Sequence, residues 1–190
     1  MTRYGYEALE DYHGSIENSF ASLLSRSLHG DVSFYQHPDE IVNFLRYICT
    51  QYVRTKGFKE KSMEAILAVD RSADFSRIWN ILIHIFANNI GKTLYVERGR
   101  RILQILRNDT ASPFITSDQP VINLMGNWDG TAPEDLVFYY PISPTKALYL
   151  GNVDEEALDG DITEELATYL SKRMRKAAYS QVFAMRERDL

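Results

Sequence analysis

The chain has 190 residues, of which 45% are hydrophobic and 25% are charged, a composition typical of one globular domain. The net charge of -5 argues against a protein that coats nucleic acid, because such proteins present a basic surface. No apolar run approaches the roughly 18 residues of a membrane span, and the first residues lack the apolar core of a signal peptide. Cys49 is the only cysteine, so no internal disulfide can form, and we expect a cytoplasmic protein.

Apolar residues recur at helical spacing through the first 90 residues. The predicted helices cover residues 6–28, 38–57, 62–69 and a segment from Ser72 or Asp74 to about Asn89. Pro38 suits the first position of a helix, and Gly57 is interpreted as the stop of that helix. The fourth helix is apolar on nearly all sides, which predicts a central position with Trp79 and Phe86 as core anchors.

The pattern changes after Gly91 to short apolar segments separated by Gly, Pro, Asn and Asp. These segments read KTLYVERG, RRILQILRN, SPFITSD, PVINL, DLVFYYPIS and KALYLGN. A last helix is predicted from about Thr163 toward Arg186. The order predicts a single α+β domain over residues 1–190, with a helical layer (1–90) packed on a mostly antiparallel sheet (91–151) and closed by a long C-terminal helix (163–187).

Most standard chemical signatures are missing. The chain has no G-x-G-x-x-G, no G-x-x-x-x-G-K-[ST] and no G-x-S-x-G, so neither a common nucleotide-binding loop nor a serine-hydrolase elbow is indicated. It also has no H-E-x-x-H and no cysteine pair, so there is no zinc signature. His84 lies in the apolar fourth helix, where a hydrogen-bonded core histidine is the favoured interpretation.

One stretch, SPFITSDQPVINL, groups polar side chains between apolar residues. They are Thr116, Ser117, Asp118 and Gln119. In a structural interpretation, Ser117 and Asp118 bond nearby backbone amides and shape a turn. In a functional interpretation, the end of a strand presents them to a cleft. A turn needs only one such residue, so we favour the functional interpretation while both stay open.

Two helices carry polar residues at the margins of their apolar faces. Glu17 lies at such a margin on the first helix, with His13 one turn earlier. Gln51 is placed similarly on the second helix, with Arg54 three residues further along. The two interpretations are an interhelical ion pair or a contribution to the same polar cleft as Asp118.

The segment SPFITSDQPV closely resembles the FITSDNPV signature of domain of unknown function 4238 (DUF4238), a widespread microbial family. SIENSFASLL, LRYICTQYVRT, LVFYYPISPTKALYLGN and LSKRMRKAAYSQVFA resemble further family blocks in the same order. At matching positions the resemblance implies this polar set: Glu17, Gln51, Arg54, Thr116, Ser117, Asp118 and Gln119. The chain lacks the family's N-terminal His-x-x-Pro motif, which indicates a truncated or short member, and Ser171 replaces a frequent Asn. The family implies a helical layer against a sheet and supplies no activity.

Two function classes remain open. The first is a hydrolase-like enzyme acting on phosphoesters or nucleotides, in which Asp118 and Glu17 hold Mg²⁺ or Mn²⁺ or act as general base, and Arg54 stabilises negative charge. The second is a ligand-binding or interaction module. In it Arg54 pairs with an acidic group, and the turn with Ser117 and Asp118 contacts a small polar or anionic ligand. The further predicted ligand contacts are Gln51, Thr116 and Gln119. A nucleic-acid partner is not expected, because only the last helix carries a basic cluster.

Overall fold

The computed structural model describes residues 3–71, 75–76, 78–126, 133–153 and 160–186, with side chains from residue 10 onward. Its α-helices are α1 (Arg3–Leu28), α2 (Pro38–Val53), α3 (Lys56–Val69), α4 (Trp79–Val96) and α5 (Glu164–Ala177). Short 3-10 helices cover Ser33–Gln36 and Arg98–Arg100. Helices come first, the sheet follows and another helix comes after it, which confirms the predicted α+β order.

The start of α2 follows the predicted signals. Pro38 occupies its first turn together with Asp39 and Glu40. The guanidinium of Arg26, near the end of α1, donates to Asp31 Oδ2 at 2.7 Å and to Glu40 Oε1 at 2.6 Å. These contacts tie the end of α1 to the start of α2.

The strands form two antiparallel sheets. The larger has the order β1 (Arg101–Arg107), β5 (Lys146–Asn152), β4 (Phe138–Ser143) and β3 (Ile122–Asn123). The smaller pairs β2 (Thr116–Ser117) with β6 (Val182–Phe183). In the larger sheet, Leu103 lies opposite Leu150 and Tyr139 lies opposite Tyr149.

Side chains alternate between the two faces of the larger sheet along each strand, and each face packs into a core of its own. On β5, Leu148 and Leu150 belong to a core shared with α1, α2 and α4, whereas Tyr149 belongs to a second core shared with α5. Leu170 and Met174 of α5 are fully buried there. The helical layer therefore covers one face of the sheet, and α5 covers the other.

Trp79 is buried with 4% of its surface exposed, as predicted for a core anchor, while Phe86 is partly buried. The ring of Trp79 lies 6.4 Å from that of Phe58 and 6.1 Å from that of Phe86. It therefore packs between α3 and α4. The opposite side of α4 leaves Ile81 and Ile85 exposed, so this helix is apolar all round without being central.

The fourth helix differs from its predicted end. We expected it to stop near Asn89 and KTLYVERG to form a strand, but α4 continues to Val96. The buried stripe of Ile83 and Ala87 extends to Leu94, and Gly91 sits where an added Cβ would lie 3.8 Å from Cys49 Sγ of α2. Gly91 thus lies inside the helix, where an added Cβ would make only ordinary contacts, rather than ending the helix. Its predicted start, at residues 72–74, lies outside the described residues.

Two other predicted helix boundaries are wrong. Gly57 does not end α2, which stops at Val53; it lies in the first turn of α3, whose N-cap Thr55 accepts a hydrogen bond from Phe58 N at 3.3 Å. The C-terminal helix ends at Ala177 instead of continuing toward residue 187. The chain after it turns and pairs with β2 as β6.

Within the described ranges, no helix is both long enough and apolar enough to cross a membrane.

Candidate functional site

Glu17 of α1 and Arg54, the residue that follows α2, form an ion pair. Arg54 Nη1 donates to Glu17 Oε1 at 3.0 Å, and the two side chains keep 33% and 50% of their surfaces exposed. An ion pair this open is screened by water, so its contribution to stability is small. The structure therefore brings together two of the three predicted catalytic residues at a solvent-accessible place.

Aromatic side chains border this ion pair. Phe20 of α1 stacks on Tyr47 of α2 with ring centroids 3.7 Å apart, and the Tyr47 hydroxyl lies 3.2 Å from the hydroxyl of Tyr140 on β4. Burial and the hydrogen bond with Tyr47 raise the pKa of Tyr140, while the charge of Arg54 acts in the opposite direction. Arg54 thus lies where the helical layer meets the sheet.

Two histidines stand beside the ion pair. The rings of His13 on α1 and His84 on α4 are 5.1 Å apart, and each has a buried Nε2 with no hydrogen-bond partner among the described residues. Burial, followed by the charge of Arg54, lowers the pKa of His13, although Glu17 partly offsets this. Burial and His13 lower the pKa of His84. We call His13, Glu17, Arg54 and His84 the polar helix cluster.

The carboxylate of Asp118 receives hydrogen bonds from the segment that follows α5. The amide of Tyr179 donates to Oδ1 at 2.9 Å, and the amides of Ser180 and Gln181 donate to Oδ2 at 2.8 and 3.2 Å. The Ser180 hydroxyl adds a fourth bond at 2.8 Å. Burial alone would raise the pKa of Asp118, but these hydrogen bonds outweigh it and lower the pKa. Asp118 therefore holds the turn between α5 and β6.

Ser117 and its neighbours support the same turn. Ser117 is buried, and its Oγ accepts a hydrogen bond from Gln119 N at 3.1 Å and lies 3.2 Å from Met174 Sδ of α5. Thr116 pairs with Phe183 of β6. The side-chain Oε1 of Gln119 is buried and has no hydrogen-bond partner among the described residues.

The turn of residues 116–119 touches the segment that follows Arg54. A Cβ on Gly57 would lie 3.1 Å from Gln119 Nε2 and 3.3 Å from Tyr179 Cβ, and Lys56 Nζ lies 4.8 Å from the centre of the Tyr179 ring. The turn therefore supports the α2–α3 junction from which Arg54 extends. Asp118 bonds residues 179–181 after α5, and Arg54 bonds Glu17 of α1, so the two side chains have different partners.

Gln51, the remaining predicted ligand contact, is buried on α2 with 8% of its surface exposed. Across the ranges that the structure describes, no three His, Cys, Asp or Glu side chains are grouped so that they could hold a metal ion. The described part of the chain therefore offers no three-residue site for the Mg²⁺ or Mn²⁺ that we considered.

Sequence reasoning missed two features. The proximity of His13 and His84 has no sequence signal, since it depends on how α1 and α4 pack. The second is a buried arginine: Arg101 donates to Glu97 Oε2 at 2.6 Å and to Asp135 Oδ1 at 2.7 Å, with 5% of its side chain exposed. The sequence signal for this buried arginine is its position as the first residue of the apolar strand β1.

Comparison with protein families gives a match to one model, described as a protein of unknown function (DUF4238), over residues 6–188. No curated protein and no solved structure matches the chain. The family model spans nearly the whole sequence, including most of α1, the residues 116–119 and α5. This chain belongs to the DUF4238 family.

Proposed function

We propose that this protein is a ligand-binding module that holds a small carboxylate-bearing molecule at the polar helix cluster. The observation that carries the proposal is the pair of buried Nε2 atoms on His13 and His84, both without a hydrogen-bond partner among the described residues. A buried polar atom without a partner is costly, and a bound ligand is one way in which such atoms are satisfied.

The ligand class follows from Arg54. Its guanidinium carries five N–H donors, and its hydrogen bond to Glu17 shows that a carboxylate fits against it. A ligand carboxylate would take the remaining donors or replace Glu17. His13 and His84 have lowered pKa values, so both rings are neutral near pH 7, and each offers one donor and one acceptor. The ligand therefore needs hydroxyl or amide groups beside its carboxylate.

In this proposal the turn of residues 116–119 is a support. Asp118 and Ser117 hold the α5–β6 turn, and Gln119 packs against the α2–α3 junction beside Arg54. Gln51 keeps its predicted role as a ligand contact, whereas Thr116, which pairs with Phe183 of β6, belongs to the support. We also propose a cytoplasmic location, because the single cysteine, Cys49, can form no internal disulfide.

Binding can be tested with acetate, succinate and citrate, by recording the imidazole NMR signals during titration. We expect citrate, which also carries a hydroxyl, to shift the signals of His13 and His84. His13→Gln combined with His84→Gln is expected to abolish binding. The matched control combines His29→Gln with His37→Gln, two exposed histidines, and should bind as the wild type does. Unchanged signals for all three carboxylates would refute the proposal.

Hydrolysis is a second candidate, favoured by the lowered pKa of His13. A neutral imidazole can accept a proton from water, the resulting hydroxide adds to an ester, and Arg54 stabilises the negative charge until the alcohol leaves with the proton. Turnover of p-nitrophenyl acetate or p-nitrophenyl phosphate measures this directly. Rates that fall in His13→Gln and not in His29→Gln would favour the enzyme over the binding module.

A further inference from the structure

A basic cleft lies between α5 and the loop before β2. Its volume is about 640 Å³, within the range of pockets that hold small molecules. It is lined by Ala111, Ser112, Pro113, Thr168, Ser171, Lys172, Arg175 and Arg186. None of these residues belongs to the polar helix cluster, so the cleft is a separate candidate site.

The helix presents one face to this cleft. Thr168, Ser171, Lys172 and Arg175 follow the spacing of neighbours on one side of an α-helix. Leu170 and Met174 of the same helix are buried in the core against the sheet. Of the basic residues of α5, Lys172 and Arg175 border the cleft, whereas Lys176 lies outside its lining.

The charge of the lining is positive. Lys172, Arg175 and Arg186 each carry a positive charge, and the cleft has no acidic lining residue among those described. The carboxylate of Glu164, at the start of the same helix, is held by the Ser112 hydroxyl and by the Ala111 amide at 3.0 Å. Guanidinium and ammonium groups close together are the arrangement that binds phosphate oxygens.

A hydroxyl group adds to this arrangement. Ser171 Oγ is buried and has no hydrogen-bond partner among the described residues. A hydroxyl can donate one hydrogen bond, which suits a phosphate oxygen. Ser112 and Thr168 place two more hydroxyls in the lining, while Ala111 and Pro113 form an apolar wall. The site combines cations, hydroxyls and an apolar surface.

We infer that this cleft binds a small organic phosphate. Its phosphate lies against Lys172, Arg175 and Arg186 and accepts a hydrogen bond from Ser171. The apolar wall of Ala111 and Pro113 contacts the organic part of the ligand. The volume of the cleft exceeds what a lone phosphate needs, so the organic part contributes to affinity.

Isothermal titration calorimetry at low salt tests the inference with adenosine 5′-monophosphate, ribose 5-phosphate, inorganic phosphate and adenosine. We expect the two organic phosphates to bind more tightly than inorganic phosphate, and adenosine not to bind. Lys172→Gln is expected to weaken binding about tenfold, as loss of one charge-assisted hydrogen bond does. Ser171→Ala should weaken it less.

The matched control is Lys176→Gln, which removes the same charge from the same helix outside the lining. It should leave the affinity within about twofold of wild type, because exposed charges act weakly at a distance. Equal losses in both lysine variants would overturn the inference, as would a wild-type protein that binds none of the phosphates. Tighter binding of a single-stranded oligonucleotide would overturn it in favour of a nucleic-acid surface.

Discussion

The carboxylate of Asp118 lies 2.8 Å from the hydroxyl of Ser180, 62 positions further along the chain. The same carboxylate also accepts hydrogen bonds from three successive amides, those of Tyr179, Ser180 and Gln181. Successive amides pointing at one carboxylate resemble a helix cap, although here the carboxylate belongs to the residue that follows β2, far away in the sequence. This contact fixes where the chain leaves α5 and allows β6 to pair with β2.

Replacing Asp118 with Asn should destabilise the protein. The amide group has one acceptor oxygen where the carboxylate has two, and its NH₂ would face an N–H donor. We expect a loss of about 1–2 kcal/mol in the free energy of unfolding, as for a lost cap. Urea denaturation measures it, with Asp109→Asn, an exposed residue, as the control. A variant as stable as wild type would instead favour a functional role for this carboxylate.

Replacing Arg54 with Ala should have little effect on stability. The ion pair with Glu17 is half exposed, and such pairs contribute about 0–1 kcal/mol. Under the proposed function the same variant loses citrate binding, so stability and binding separate. A decrease of more than about 2 kcal/mol in the free energy of unfolding would show that Arg54 is mainly structural. A decrease of that size approaches the cost of breaking a buried pair, which an ion pair this exposed should not reach.

The fold was predictable where local signals and tertiary packing agree. Pro38 with its acidic neighbours marks the start of α2, and the change from helical spacing to short strands predicts the sheet. Prediction failed at Gly91 and at Ala177, where the outcome depends on distant contacts. Beyond Gly91, α4 continues with Leu94 buried in the core shared with α2, and the hydrogen bonds to Asp118 hold the turn after Ala177.

The same distinction applies to the candidate site. Glu17 was predicted from its position at a helix margin, and Arg54 from its place three residues after Gln51 and from the family resemblance. The two side chains form an ion pair. The approach of His84 to His13 requires the packing of α1 beside α4, to which spacing within either helix gives no clue. The partner of a polar residue on an apolar helix depends on which element packs against that helix, and this is known only from the tertiary structure.

Replacing Arg101 with Ala should be strongly destabilising. Its guanidinium joins Glu97, Asp135 and the carbonyl of Leu136, and its side chain is 5% exposed. Breaking a buried pair leaves its partners without a counter-charge, but both carboxylates remain about one third exposed. We therefore expect the free energy of unfolding to fall by about 3 kcal/mol, the lower end of the range for a broken buried pair. Thermal denaturation compares the melting temperature of this variant with that of Arg100→Ala, which changes an exposed arginine. Equal melting temperatures would contradict the prediction.

Gly151→Ala tests the packing of β5. A Cβ at Gly151 would lie 2.5 to 2.7 Å from two ring carbons and the hydroxyl oxygen of Tyr149, a buried residue two positions earlier on the same strand. Since that ring cannot move freely, we expect a loss of about 1–3 kcal/mol from overpacking. Gly14→Ala is the contrasting control: nothing lies within 4 Å of its added Cβ, and it sits inside α1. That variant should be more stable than wild type by up to about 1 kcal/mol.

His13 and His84 should make stability fall with acidification. Burial is the main reason that both pKa values are lowered, with Arg54 adding to the effect on His13 and His13 to that on His84. Glu17 and Glu10 act on His13 in the opposite direction and only partly offset the shift. The folded protein therefore binds these protons at a lower pH than the unfolded chain, whose histidines titrate at about pH 6.5.

Above that pH both states are neutral at these positions and the histidines add no pH dependence. As the pH falls through about 6.5 toward the lowered folded values, the unfolded chain binds protons first and stability decreases. Urea denaturation followed by circular dichroism between about pH 8 and pH 5 spans this range. The combined variant His13→Gln with His84→Gln should flatten the profile, whereas His29→Gln with His37→Gln should keep the wild-type slope. If both double variants follow the wild-type profile, the two half-buried imidazoles do not control the acid sensitivity of the fold.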